Sequence, residues 1–209
     1  MKKTVFLMAF VSLFTVVAIN SCSKDENTST SSSSAFDGKL SGTIKTESGA
    51  ALNGEVDTLK LYDGNVVKSF PVSADGSFEF TLPTPSADKL DLLSEGMPDG
   101  LSITPADAKF YSVNEIEASK NGSYVGYVYY GKRSATLFVE ISYVYVDRDV
   151  VITGNKTITD GAYEYIYNMN LKTGWNKVFE SETSSANKIV SSMTTGNIPS
   201  DVQWIISLF

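Results

Sequence analysis

Beyond residue 37 the apolar residues recur at every second position through most of the chain, which is the period of strands with one buried face. Phe78, Phe80 and Leu82 share one face of a short segment. Leu137, Val139, Ile141, Tyr143 and Tyr145 do the same in a longer one, and Tyr163, Tyr165, Tyr167, Met169 and Leu171 repeat the pattern. Turn residues punctuate these runs, at Glu47-Ser48-Gly49, Asp63-Gly64-Asn65, Asp75-Gly76 and Lys172-Thr173-Gly174. No apolar stripe keeps helical spacing for more than about two turns, and no internal repeat is visible. The pattern predicts an all-β protein. Four of the six prolines, Pro83, Pro85, Pro98 and Pro105, fall in one stretch. Proline at that density interrupts strand ladders and helices alike, so a boundary is expected there. The expected division is a small β-sandwich with its Pro-rich connection over 37–108, then an antiparallel meander over 109–209 forming a second sandwich or a partly open barrel. Within the connection, Ser86 to Leu90 and Thr104 to Asp107 are each predicted to start a helical turn, with a short strand around Leu101 to Ile103.

The first 36 residues follow a different rule. Met1-Lys2-Lys3 is a positive start, and Val5 to Ile19 is apolar except for Ser12 and Thr15. Spanning a bilayer takes about 18 or more apolar residues, so residues 1–21 read as a signal peptide. The run ends at Ile19-Asn20-Ser21-Cys22, which resembles the bacterial lipoprotein box; the resemblance implies that Cys22 is the lipidated residue, acylated and exposed by cleavage. Ser23-Lys24-Asp25-Glu26 is similar to the short charged signal that sends Bacteroidetes lipoproteins to the outer face of the outer membrane, which gives Lys24, Asp25 and Glu26 an export role. Asn27 to Ser34 contains only Asn, Ser and Thr, so residues 22–36 have too little to bury to offset their ordering entropy and read as a tether. The implied address is the outer membrane, lipid-anchored and exposed at the cell surface.

Composition then removes chemistry. The 209-residue chain has one Cys and no His. Without His there is no Ser-His-Asp or Cys-His relay, no HExxH zinc site and no imidazole base. With Cys22 committed to a lipid, there is no internal disulfide and no CxxC centre. Without residues 1–21, 15 basic residues face 24 acidic ones, a net charge of −9, which disfavours nucleic acid and direct adsorption to anionic headgroups. Asp147-Arg148-Asp149 is the nearest approach to a carboxylate pair and reads as a strand end or turn. It supplies too few ligands for calcium. No phosphate-cradling glycine motif occurs. The chain is therefore expected not to be an enzyme, with no catalytic residue, no metal and no cofactor.

Nine of the 11 tyrosines lie between Tyr124 and Tyr167. Tyr at alternate positions is a favoured residue of half-exposed sheets, and such a row can also stack sugar rings. If a platform exists, Tyr163, Tyr165, Tyr167 and Trp175 are its candidates, because their row ends at a turn where a ligand can approach. Gly42-Thr43-Ile44 with Ser48-Gly49-Ala50, and Ala74-Asp75-Gly76-Ser77-Phe78 with Leu82-Pro83, resemble the transthyretin-like or carboxypeptidase-regulatory-like β-sandwich. That resemblance implies a spacer, stabiliser or binding role and no active residues. Asp57-Thr58-Leu59 resembles the O-glycosylation site of exported Bacteroidetes proteins, with Thr58 as acceptor. As a whole the chain resembles the uncharacterised surface lipoproteins of gut Bacteroidetes. Two functions are weighed: a non-catalytic binding or accessory module for a glycan, nutrient, peptide or protein ligand, and a structural or adhesive envelope component that binds another protein.

Overall fold

The computed structural model describes residues 36–63, 66–113, 116–158, 161–196 and 198–208. The signal peptide, Cys22 and the Lys24-Asp25-Glu26 signal lie outside them. The described chain is all-β, as its alternation predicts. Its strands are β1 (Lys39–Thr46), β2 (Thr58–Asp63), β3 (Val66–Pro71), β4 (Ser77–Thr81), β5 (Asp91–Leu92), β6 (Ser102–Thr104), β7 (Lys109–Val113) and β8 (Ile116–Lys120). They continue as β9 (Ser123–Arg133), β10 (Leu137–Val146), β11 (Val150–Ile158), β12 (Tyr163–Leu171), β13 (Gly174–Ser185), β14 (Lys188–Thr194) and β15 (Gln203–Leu208). One α-helical turn, α1 (Leu93–Gly96), and a 3-10 turn at Ala87–Lys89 lie in the Pro-rich segment.

Hydrogen-bonded ladders link all the strands into one large mixed sheet that does not close into a barrel. The boundary expected near residue 108 does not separate two sheets. β2 pairs with β8, β1 runs parallel to β15, and Phe36 donates its backbone N–H to Trp175 across 3.1 Å. The reason lies in burial. Leu40, Ile44, Leu59, Phe78 and Phe80 from before the boundary share a core with Ile116, Val128, Ile141, Tyr143, Trp175, Trp204 and Ile206 from after it. β3 and β4 approach without forming a ladder, and the Phe70 and Phe80 rings stack across the gap at 4.1 Å.

A second core holds Val146, Val150, Ile152, Tyr167, Met169, Leu171 and Val178 under Leu93 and Ala108. The Pro-rich segment is thus a lid over that core as well as a connection. Its Thr104-Pro105 step corrects the expected helix start: Ser102–Thr104 is strand β6, paired with Thr153 to Val151 of β11. Proline lacks an N–H, so it fits directly after an edge strand as readily as at a helix start.

The carboxyl half is not a simple antiparallel meander either. β12 and β13 are joined by only Lys172 and Thr173, yet they do not pair along their length. β14 wedges between them, parallel to β12 and antiparallel to β13. Buried Asn176 holds the vertex: its Oδ1 accepts the Lys172 N–H at 2.8 Å, and its Nδ2 donates to the Lys172 carbonyl at 2.7 Å and the Gly174 carbonyl at 2.9 Å. These bonds replace the ladder that a tight hairpin would supply.

Candidate functional site

The strand β1 serves two neighbours in succession. Lys39 to Thr43 pair with β4, and Ile44 to Thr46 pair with β15. Where β1 leaves β15, a cleft opens between its first half and the start of β15. The cleft has a volume of about 350 Å³, with Tyr130, Tyr143, Trp204 and Lys177 among its walls.

Each wall follows from alternation. Tyr143 in β10 lies opposite Lys177 in β13, and Trp204 in β15 lies opposite Tyr130 in β9. The Trp204 ring lies nearly parallel to Tyr143 at 6.3 Å and within 5.0 Å of Tyr130. Its indole Nε1 donates to the Ser41 carbonyl at 3.1 Å, which fixes the ring across β1. Only glycine permits this: a Cβ on Gly42 would stand 2.4 Å from Trp204 Cδ1. Trp204 and Tyr143 are largely buried, whereas Tyr130 is half-buried, packed against the first core and lining the cleft. Aromatic walls of this kind offer π faces and edges together with a phenolic hydrogen-bonding tip.

The electrostatics of the cleft are uneven. Lys39 Nζ is paired with Glu79 at 2.9 Å in an exposed ion pair. Lys177 is half-buried, with Nζ 4.5 Å above the centre of the Phe36 ring. No carboxylate stands within ion-pair distance of it among the described residues, although Asp37 exerts an attraction from farther away. Burial lowers the Lys177 pKa below the usual lysine value, against that attraction. Burial also raises the Tyr143 pKa, so its phenol stays protonated at neutral pH. Gln203, Ser41 and Thr43 give the cleft a polar rim.

Searches against family models, curated proteins and solved structures find nothing that matches this chain. The site therefore has to be read from its own chemistry.

The residues singled out by the tyrosine pattern do not assemble into one exposed row. Trp175 is 5% exposed and belongs to the first core, with its ring edge-on to Tyr145 at 5.7 Å. Tyr167 is 6% exposed and belongs to the second core. Tyr165 is half-buried against that core, and Tyr163 is half-buried at the start of β12. Alternation places side chains on a face correctly but does not reveal what covers the face. Here β1 with Phe36 covers Trp175, and the Pro-rich segment covers the Tyr167 end of the row.

Thr58 begins β2, half-buried, and its hydroxyl donates to Asp57 Oδ1 at 2.9 Å. The Asp57 pKa is lowered, first by the Asn121 N–H and then by that hydroxyl. Asp147-Arg148-Asp149 is the turn between β10 and β11. Arg148 bridges Asp147 at 2.9 Å and Asp107 at 2.8 Å, and Asp149 binds Lys172 at 3.0 Å, so each of these carboxylates already has a cationic partner.

Sequence reasoning missed Tyr130, Tyr143, Lys177 and Gly42 as members of one site. Gly42 within an alternating strand was the available signal, since an isolated glycine there marks a close approach by another group.

Proposed function

We propose that this chain is a lipid-anchored protein of the outer-membrane surface that acts as a non-catalytic binding module for glycans or nutrients. The anchor and the address rest on the lipoprotein box at Cys22 and the Lys24-Asp25-Glu26 signal. The observation that carries the binding role is the cleft beside β1, where Tyr130 and Tyr143 each contact the Trp204 ring and Lys177, Gln203, Ser41 and Thr43 complete the lining. Aromatic surface with a few convergent polar groups is the usual make-up of a small-ligand site. Among the described residues the lining of this cleft carries lysines, hydroxyls and an amide but no carboxylate, which suits capture of a ligand.

A glycan-array and pull-down screen with mature chain, residues 22–209 carrying Cys22→Ser, tests the reading. Selective glycan capture that is lost in Tyr130→Ala is the expected result. Capture of envelope proteins alone, with no glycan retained, replaces the reading with that of a structural or adhesive envelope component.

A further inference from the structure

We infer that the cleft beside β1 binds a sugar acid, a pyranose ring bearing one carboxylate, with the carboxylate on Lys177 and the ring against Tyr130. This inference rests on the binding-module reading and specifies its ligand.

The charge count sets the sign and number. Of the two lysines in the cleft, Lys39 already has Glu79 as its partner at 2.9 Å. Lys177 is held by β13 over the Phe36 ring and has no carboxylate at ion-pair distance among the described residues. A half-buried ammonium that Asp37 attracts only from beyond ion-pair distance is under-compensated in the free protein, and an anion entering the cleft recovers part of its burial cost. One unpaired cation matches one negative charge. A phosphate dianion would leave its second charge uncompensated on a mature chain of net charge −9.

The walls set the shape. Tyr130 lines the cleft with a half-buried ring, backed by Trp204 at 5.0 Å. The apolar C–H face of a pyranose packs on such a ring. Gln203, Ser41, Thr43 and the protonated Tyr143 phenol surround the same space and provide donors and acceptors for ring hydroxyls. A flat aromatic carboxylate would satisfy Tyr130 and Lys177 but leave that polar rim without partners, which costs affinity once the rim is desolvated. A neutral sugar satisfies the rim and leaves Lys177 unpaired. A ring with both hydroxyls and a single carboxylate uses all three parts of the cleft.

Calorimetric titration of the mature chain with Cys22→Ser tests this. The probes are the methyl glycosides of gluco-, galacto-, manno- and guluronic acid, which carry one carboxylate each, beside their carboxyl-reduced neutral counterparts. At least one uronate should bind about tenfold or more tighter than its reduced counterpart, the scale of one charge-assisted hydrogen bond. Lys177→Met should erase the difference, and Lys177→Arg should retain most of it; unchanged circular dichroism and melting cooperativity establish that both variants are folded. Three results overturn the inference: equal affinity for the acid and neutral forms, a uronate preference that survives Lys177→Met, or no uronate bound. If neutral glycans still bind in a Tyr130-dependent way, the binding-module reading stands while the sugar acid falls. If no glycan of any kind binds, both fall.

Discussion

The two faces of β13 make the sharpest comparison in the molecule. Three residues apart, Lys177 faces the first core and Glu180 the opposite side, and each is an ionisable group pushed toward neutrality by burial. Their neighbours differ. Burial raises the Glu180 pKa, helped by repulsion from Glu182 and opposed by the long hydrogen bond it accepts from the Ser191 hydroxyl at 3.4 Å. Lys177 stands among rings at an open cleft, and burial lowers its pKa below the ordinary lysine value. A buried acid with a hydrogen-bond donor inside the fold has an internal partner, whereas an ammonium at an open cleft can be met by what enters from outside. That contrast separates a structural polar residue from a binding one on the same strand.

Removing a buried ring from the first core should have the largest effect. Trp175→Ala deletes a 5%-exposed ring from the first core and is expected to cost about 3–5 kcal/mol in denaturant unfolding. Tyr163→Ala, at the half-buried start of β12, should cost about 1 kcal/mol or less. Equal losses would mean that the tyrosine row and the first core are not packed as differently as their burial indicates. Next in size is Gly42→Ala, whose Cβ would meet Trp204 Cδ1 at 2.4 Å. Overpacking of that kind costs roughly 1–3 kcal/mol, and because Trp204 lines the cleft, ligand affinity should fall with stability. A stable Gly42→Ala variant with an unshifted tryptophan emission spectrum would show that the ring does not rest on β1.

Local alternation made some of this legible and long-range covering hid the rest. β10 and β12 match their alternating runs at both ends, because Val139, Ile141, Tyr143, Met169 and Leu171 are buried as the two-residue period requires. The all-β class followed from the same signal. Trp175 and Tyr167 were legible as strand residues but not as core residues, since Phe36 and Leu93, which belong to the covering layers, lie far away in sequence. The parallel insertion of β14 depends on Asn176 replacing the ladder near the β12–β13 vertex, a tertiary arrangement with no periodic signature. The cleft was hidden for the same reason: it exists because β1 changes partners between Thr43 and Ile44, and the sequence around Gly42 carries only a single glycine as notice.

Titration distinguishes the two faces of β13 with opposite slopes. Glu180 has a folded pKa above the ordinary 4.5, so its proton-bound form contributes stability that is present below that value and lost as pH rises through the folded pKa. Glu180→Gln should therefore be more stable than the parent, by a margin that grows from acid toward neutral pH. Lys177 has a folded pKa below the ordinary 10.5, so its burial penalty is present while it is charged and vanishes once pH exceeds that value. Lys177→Met should also be stabilising at neutral pH, with a margin that shrinks toward alkaline pH. Melting curves across pH for both variants measure the two slopes, and slopes of the same sign would remove the distinction drawn between the faces.

The smallest effect belongs to the second lysine of the cleft. Lys39 and Glu79 are 49% and 62% exposed, and exposed pairs of this kind contribute about 0–1 kcal/mol. Glu79→Gln should leave the unfolding midpoint almost unchanged while freeing Lys39 at the cleft rim. If Lys177 is the ammonium that selects the anion, the freed Lys39 adds only a screened, solvated charge, and uronate affinity should rise by about twofold at low salt and hardly at all at physiological ionic strength. A large gain that persists in salt would transfer the anion-selecting role from Lys177 to Lys39, because only a desolvated charge keeps its strength when counterions are abundant.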